Sequence, residues 1–247
     1  MEAEGAEPRL GGLLDSPPRA RARFAIRSYW RDLVSMDSSP TSAPHLEVRS
    51  LHLWRGDRHL LRGVSLALEA GEMLQVVGPN GVGKTSLLRC VAGLLPAESG
   101  EILWNSRSIQ GARDEYHQRL AYLAHTNALK PDLSALENLH YAVALRRRVE
   151  RLQLVATLQR LRIERCADLP ARSLSAGQKR RLALARVLLM QAPLWILDEP
   201  ITNLDAAGVQ QFEAFMTEHL ETGGMILTAA HQLLLTGSAR MRTLELR

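Results

Sequence analysis

The chain has 247 residues, 46% of them hydrophobic, and 31 lysine and arginine residues against 26 acidic ones leave a formal net charge of +5. That is enough apolar material for one full α/β core, while no run approaches the ~18 apolar residues a membrane-crossing helix needs. The two cysteines, Cys90 and Cys166, lack the spacing of a metal or redox motif and suit packed thiols in a reducing compartment.

From Met1 to about Pro44 the composition differs from the rest: three early glutamates, Pro17-Pro18, an arginine cluster and a Ser/Pro/Thr stretch at Ser38–Ser42. This reads as a disordered N-terminal extension over residues 1–44. It has no apolar region like that of a signal peptide, and its acidic start argues against a transit peptide. Met36 is an alternative start, shortly before the first strand-like pattern at His45-Leu-Glu-Val.

The apolar run Met73–Val77 reads as a strand, and Gly78-Pro79-Asn80-Gly81-Val82-Gly83-Lys84-Thr85, with Ser86 after it, fits the phosphate-loop pattern GxxxxGK[ST]. Glycines there let the backbone curl round a polyphosphate with its N–H groups inward, and a helix beginning near Lys84 adds its positive dipole end. Lys84 is one of only three lysines, and it falls where it can reach the β and γ phosphates of a nucleoside triphosphate. Thr85 supplies a hydroxyl for Mg²⁺.

Ser134–Cys166 reads as helical, with an apolar stripe at Leu136, Leu139, Val143, Val149, Leu152, Leu158 and Leu161. Arginines crowd Arg146 to Arg165; a solvated basic face is the ordinary reading, and attraction to anionic headgroups is the functional one. Next comes Leu174-Ser175-Ala176-Gly177-Gln178, leading into the helical pattern LALARVLL. A capped amphipathic helix accounts for this segment alone. The apolar run Leu194–Leu197 then delivers Asp198 and Glu199 to the end of a buried parallel strand. Two adjacent carboxylates there could be solvated or cap the next helix; in a nucleotide site Asp198 would hold Mg²⁺ through water and Glu199 would polarise a water for in-line attack on a γ-phosphorus. Met225–Thr228 reads as a further strand, ending near His231.

Taken in this order, the segments resemble the phosphate loop, LSGGQ signature, Walker B strand, D-loop (Asn203-Leu204-Asp205) and switch histidine of ATP-binding cassette (ABC) ATPases. The resemblance covers His45 to Arg247. It implies an α/β fold, a P-loop NTPase of ABC type: a mostly parallel sheet core with an antiparallel β-subdomain and an inserted helical subdomain at about 126–180. It further implies that ATP and Mg²⁺ are the cofactors, that Lys84, Glu199 and His231 are catalytic, and that Thr85, Asp198 and His125 serve the metal. His125 stands where the family's Q-loop has glutamine, six residues before Pro131, and Ala176 replaces the signature's first glycine. The adenine-stacking position falls on Trp54 or Arg55, by π or cation–π contact; Trp54 is equally readable as a core residue. In the family, Ser175, Ala176, Gly177 and Gln178 face the nucleotide held by a second cassette, so a head-to-tail homodimer is implied.

Segments such as Arg62-Gly-Val-Ser, Tyr116-His117, Ala135-Leu-Glu-Asn-Leu139 and Ala192–Pro200 are similar to one branch, the ATP-binding subunits of the cytochrome c biogenesis heme exporter, the CcmA family. That branch implies an ATPase on the cytoplasmic face of a bacterial inner membrane. Its partners are a multispanning permease and other cytochrome c maturation proteins. Nothing in the residues resembles a heme site. An exporter of a drug or lipid is the rival reading. DNA-repair cassette ATPases separate phosphate loop and signature by long insertions, and translation factors carry two cassettes, so a nucleic-acid partner is disfavoured. A silent adaptor is disfavoured because Lys84, Asp198, Glu199 and His231 are all present.

Overall fold

The computed structural model describes residues 45–235 and 240–247; the expectations for residues 1–44, Met36 included, lie outside the described residues. Two sheets organise the chain. The first is antiparallel, in the order β2-β1-β4-β5, from β1 (His45–Arg55), β2 (Arg58–Glu69), β4 (Ser99–Trp104) and the short β5 (Arg107–Ser108). β1 and β2 are joined by the tight turn at Gly56-Asp57 and alternate in burial, as strands with one covered face do. The second sheet is parallel, in the order β6-β7-β8-β3-β9: β6 (Leu120–Leu123), β7 (Leu194–Asp198), β8 (Met225–Ala229), β3 (Met73–Val77) and β9 (Met241–Glu245). β7 and β8 are buried at every residue, because helices and neighbouring strands cover them on all sides.

Helix α1 (Lys84–Val91) follows β3, and the short α2 (Arg113–Gln118) precedes β6. Between β6 and β7 the chain inserts α3 (Ala135–Ala144), α4 (Arg151–Arg160), two 3₁₀ turns and α5 (Ala176–Met190); α6 (Ala206–Glu221) follows β7. The core falls into two clusters. One gathers the inserted helices, α5 and α6 around Leu139, Leu158, Leu182 and Phe212; the other joins the antiparallel sheet to α1 around Leu68, Leu87 and Trp104.

The inserted segment differs from its sequence reading in two ways. It is not continuous: α3 ends at Ala144, and α4 restarts after Glu150, whose side chain takes part in a capping box with Gln153. The interruption re-phases the apolar stripe, so Leu154 is buried and Leu152 is 79% exposed. Part of the arginine run is also anchored rather than solvated, while Arg148 and Arg151 stay exposed as a solvated basic face has them. Arg146 donates to the Leu120 carbonyl at 2.7 Å and Arg147 to the Leu189 carbonyl at 3.0 Å, fastening the end of α3 to β6 and α5. Arg160 pairs with Glu218 at 2.8 Å and lies over the Phe215 ring. Cys90 and Cys166 are buried free thiols, as their spacing suggests.

Candidate functional site

β3 ends at Val77 and hands the chain to the phosphate loop. Gly78 has φ 144°, and a Cβ there would lie 2.5 Å from the Leu246 carbonyl oxygen, so no other residue fits. Gly83 has φ 113° and is the N-cap of α1 without any side-chain cap. The first-turn N–H groups of Lys84, Thr85 and Ser86 thus face the loop without a capping side chain, the arrangement that binds anions. Pro79, Asn80 and Gly81 form the exposed rim and Val82 is buried beneath. Lys84, 9% exposed, folds across the loop and donates from Nζ to the carbonyls of Gly78 (2.7 Å) and Pro79 (3.1 Å).

The hydroxyl of Thr85 donates to Asp198 Oδ1 at 3.1 Å, across 113 residues of chain. Asp198 closes β7 and is 2% exposed; its Oδ2 is buried with no hydrogen-bond partner. Burial pushes the carboxyl above its ordinary range, against the Thr85 hydrogen bond and the positive charges of Arg180 and Lys84. An orphaned carboxylate oxygen beside a hydroxyl fits a hard divalent cation such as Mg²⁺. Among the described residues no group of three or more His, Cys, Asp or Glu could cage a metal. A cation held by Thr85 and Asp198 would leave ligand positions for phosphate and water, as Mg²⁺ commonly does.

This carries a prediction. The folded-state pKa of Asp198 is raised, so its ionised form costs stability above that pKa, and the cost is relieved as the pH falls through it. Asp198→Asn should therefore raise the thermal midpoint of the nucleotide-free chain at neutral pH, by about 2–4 °C for each kcal/mol gained. It should also abolish the Mg²⁺ dependence of ATP binding. Calorimetry with and without Mg²⁺ checks both.

Glu199 follows in left-handed backbone, φ 50°, a conformation that costs a non-glycine residue about 1–3 kcal/mol unless its surroundings hold it. Its N–H donates to the Ala229 carbonyl at 2.8 Å, continuing the β7–β8 pairing one residue past the strand. His231 sits in the turn beyond β8, largely exposed, with Nε2 3.6 Å from Glu199 Oε1. His125 lies in the loop after β6, also exposed, close enough to Asp198 for an electrostatic interaction when protonated. The structure thus gathers Lys84, Thr85, His125, Asp198, Glu199 and His231 at the carboxyl ends of adjacent strands.

The signature segment stands apart. Ser175 caps α5: its Oγ accepts from the Gln178 N–H at 3.2 Å, while Gln178 Oε1 accepts from the Ser175 N–H at 2.8 Å. This is the capped helix of the plainer reading, yet the hydroxyl keeps its own proton for another acceptor. Ala176 is exposed in ordinary helical backbone, so no glycine is required there. At Gly177 a Cβ would lie 3.0 Å from the Asn203 carbonyl, so the helix start packs closely on that loop. No hydrogen bond among the described residues joins Ser175–Gln178 to the phosphate loop.

Trp54 and Arg55 end β1, both exposed; at 47% exposure Trp54 is not a core residue. Its ring stacks on His59, centroids 4.2 Å apart and nearly parallel, and His59 Nε2 meets His52 Nδ1 at 3.0 Å.

Sequence reasoning missed two buried polar residues. Gln75, wholly buried in β3, donates from Nε2 to the Gln232 carbonyl (2.8 Å) and accepts from the Leu234 N–H (3.0 Å), pinning the segment that carries His231. A lone amide inside Met-Leu-Gln-Val-Val was the available signal. The other is Arg180, on α5.

The description of the ABC transporter family matches residues 61–202. The chain is 43% identical over 190 residues to the cytochrome c biogenesis ATP-binding export protein CcmA 2 of Cupriavidus metallidurans, covering 76% of this chain and 90% of that protein. It is 42% identical over 202 residues to the cytochrome c biogenesis ATP-binding export protein CcmA of Vibrio cholerae, covering 81% and 98%. Among solved structures, an ATP-binding subunit of an ABC transporter superposes with a TM-score of 0.71 at 28% identity, covering 76% of this chain and 80% of that one.

Proposed function

This chain belongs to the ABC transporter family, and from that membership we propose that it is the ATP-hydrolysing subunit of an export complex serving cytochrome c biogenesis. The cargo implied by resemblance is heme, with a drug or lipid as the alternative. The observation that carries the ATPase reading is the meeting of Thr85 with the half-satisfied carboxylate of Asp198, beside the Glu199–His231 pair. Similarity to cytochrome c biogenesis proteins over nine-tenths or more of their length supports the branch.

In this reading the loop from Gly78 to Ser86 cradles the triphosphate, and Lys84 exchanges its two carbonyl partners for phosphate oxygens. Thr85 and Asp198 hold Mg²⁺, with the His125 loop beside them. When bound, the ion neutralises charge on the β and γ phosphates. The Glu199 carboxylate takes the proton of the attacking water, and His231, 3.6 Å away, keeps that carboxylate and the γ-phosphate in register. Ser175, Ala176, Gly177 and Gln178 present a helix N-terminus to the nucleotide of a second copy, so hydrolysis requires a head-to-tail pair. Trp54 and Arg55 lie on the adenine side.

The permease partner docks in a groove of about 380 Å³ beside the His125 loop, lined by Tyr122, Leu129, Tyr141, Leu145, Arg186 and Met190. Leu145, 78% exposed, and Tyr141, 52% exposed, are the apolar residues a membrane subunit would cover. No helix of the described residues is long and apolar enough to cross a membrane. In this reading the chain is held at the cytoplasmic face of the inner membrane through this contact. The test is fractionation of cells expressing wild type or Leu145→Glu. Wild type should sediment with the inner membrane and the variant should stay in the supernatant while retaining ATP binding. Equal sedimentation of both would remove the groove from the account.

A further inference from the structure

Arg180, the fifth residue of α5, lies two positions beyond the signature glutamine and is 1% exposed. Every N–H of its guanidinium is directed at an oxygen. Nε donates to the Pro200 carbonyl at 3.0 Å, and Nη2 to the carbonyls of Asp198, at 2.9 Å, and Glu199. Nη1 donates to the Ala124 carbonyl at 3.1 Å, to Asn127 Oδ1 at 3.0 Å and to the His125 carbonyl at 3.5 Å. Burial lowers the pKa of the group to about 10, with Asp198 and Glu199 opposing the shift, so it is charged at neutral pH.

Burying a guanidinium is costly, and an apolar side chain of similar volume ordinarily fills such a space at less expense. What this ion achieves is geometric. Three successive carbonyls, from Asp198 to Pro200, converge on one planar fork, and the left-handed backbone of Glu199 is part of that convergence. The fork's other edge holds the loop that carries His125. Arg181, the next residue, serves a separate purpose: it binds Asp205, Gln211 and the Leu161 carbonyl.

We propose that Arg180 is a positioning residue that ties the Glu199 turn and the His125 loop to the signature helix, so that the three move together when a partner cassette engages Ser175–Gly177. This rests on the reading of Glu199 as the base that activates water. Arg180, with its fork on backbone and Asn127 oxygens, acts by fixing the backbone from which Glu199 and His125 project.

The test is steady-state ATP hydrolysis by the purified full-length chain, as wild type, Arg180→Lys and Arg180→Gln, with rates expressed per folded chain. Arg180→Gln should lower kcat at least tenfold while KM for ATP stays within about twofold, since the phosphate loop is untouched. Arg180→Lys, which keeps the charge but not the fork, should fall between the two. A merely structural role would reduce the amount of folded protein and leave kcat per folded chain within twofold of wild type, and that result overturns the proposal. Should Arg180→Gln not accumulate as folded protein, Asn127→Ala carries the test: a kcat reduced about threefold at unchanged KM supports it, and a wild-type kcat overturns it. Glu199→Gln is run alongside. If it hydrolyses ATP as fast as wild type, the reading of Glu199 has failed, a result separable from any outcome at position 180.

Discussion

Replacing Lys84 with alanine should abolish ATP hydrolysis and weaken ATP binding by about 10- to 100-fold, the worth of one or two charge-assisted hydrogen bonds. The side chain is already preorganised. Its Nζ sits at the loop mouth on the carbonyls of Gly78 and Pro79, so phosphate binding is an exchange of acceptors within a few ångströms. Its removal should cost the fold little, because the glycine geometry of the loop and the packing of Leu87 and Leu88 in α1 do not depend on it. Equilibrium binding of a fluorescent ATP analogue, with circular dichroism to confirm folding, separates the two effects. An unchanged affinity in Lys84→Ala would contradict the assignment of this loop as the phosphate site.

Glu199→Gln should have the opposite character: ATP affinity preserved, hydrolysis slowed by about 10²–10⁴-fold, the ordinary contribution of a general base. The amide can keep the position of the carboxylate beside His231 but cannot take a proton from water. If hydrolysis reopens the paired cassettes, as the proposed function has it, the variant should accumulate with ATP as a closed dimer visible by size-exclusion chromatography. Wild type should shift to the dimer only transiently. Hydrolysis by Glu199→Gln at the wild-type rate would remove the base from this position.

Much of the site was readable because its chemistry is local in sequence. The phosphate loop, the Asp198-Glu199 pair and the capped start of α5 each lie within a few residues, beside strands of plain apolar pattern. The parallel core followed from those strands: Met73–Val77 and the run ending at Asp198 were placed as the structure has them. Arg180 and Gln75 were missed because what defines them is distant. Arg180 reaches acceptors 53 to 56 residues upstream, and Gln75 binds backbone 157 and 159 residues downstream. A charge or an amide among apolar neighbours announces only that partners exist. The anchoring of Arg146 and Arg147 escaped for the same reason, since their carbonyl acceptors on β6 and α5 leave no trace in the local pattern. The partner of Trp54 is likewise set by the turn that brings His59 against its ring.

The charge pattern also bears on the nucleic-acid reading. Arg146, Arg147, Arg160, Arg180 and Arg181 are engaged internally, holding helices to strands and loops. These five arginines serve the scaffold, so their number in the sequence is not by itself a sign of a polyanionic partner.

The central claim, that ATP hydrolysis by this chain drives a step in cytochrome c biogenesis, is tested most directly by heme staining of covalent c-type cytochromes. The strain lacks the gene and is complemented with wild type or with Glu199→Gln. The account predicts that staining disappears in the deletion, returns with wild type and stays absent with Glu199→Gln at equal protein levels. Normal staining in the deletion strain would contradict it and leave an ABC transporter ATPase with a different cargo.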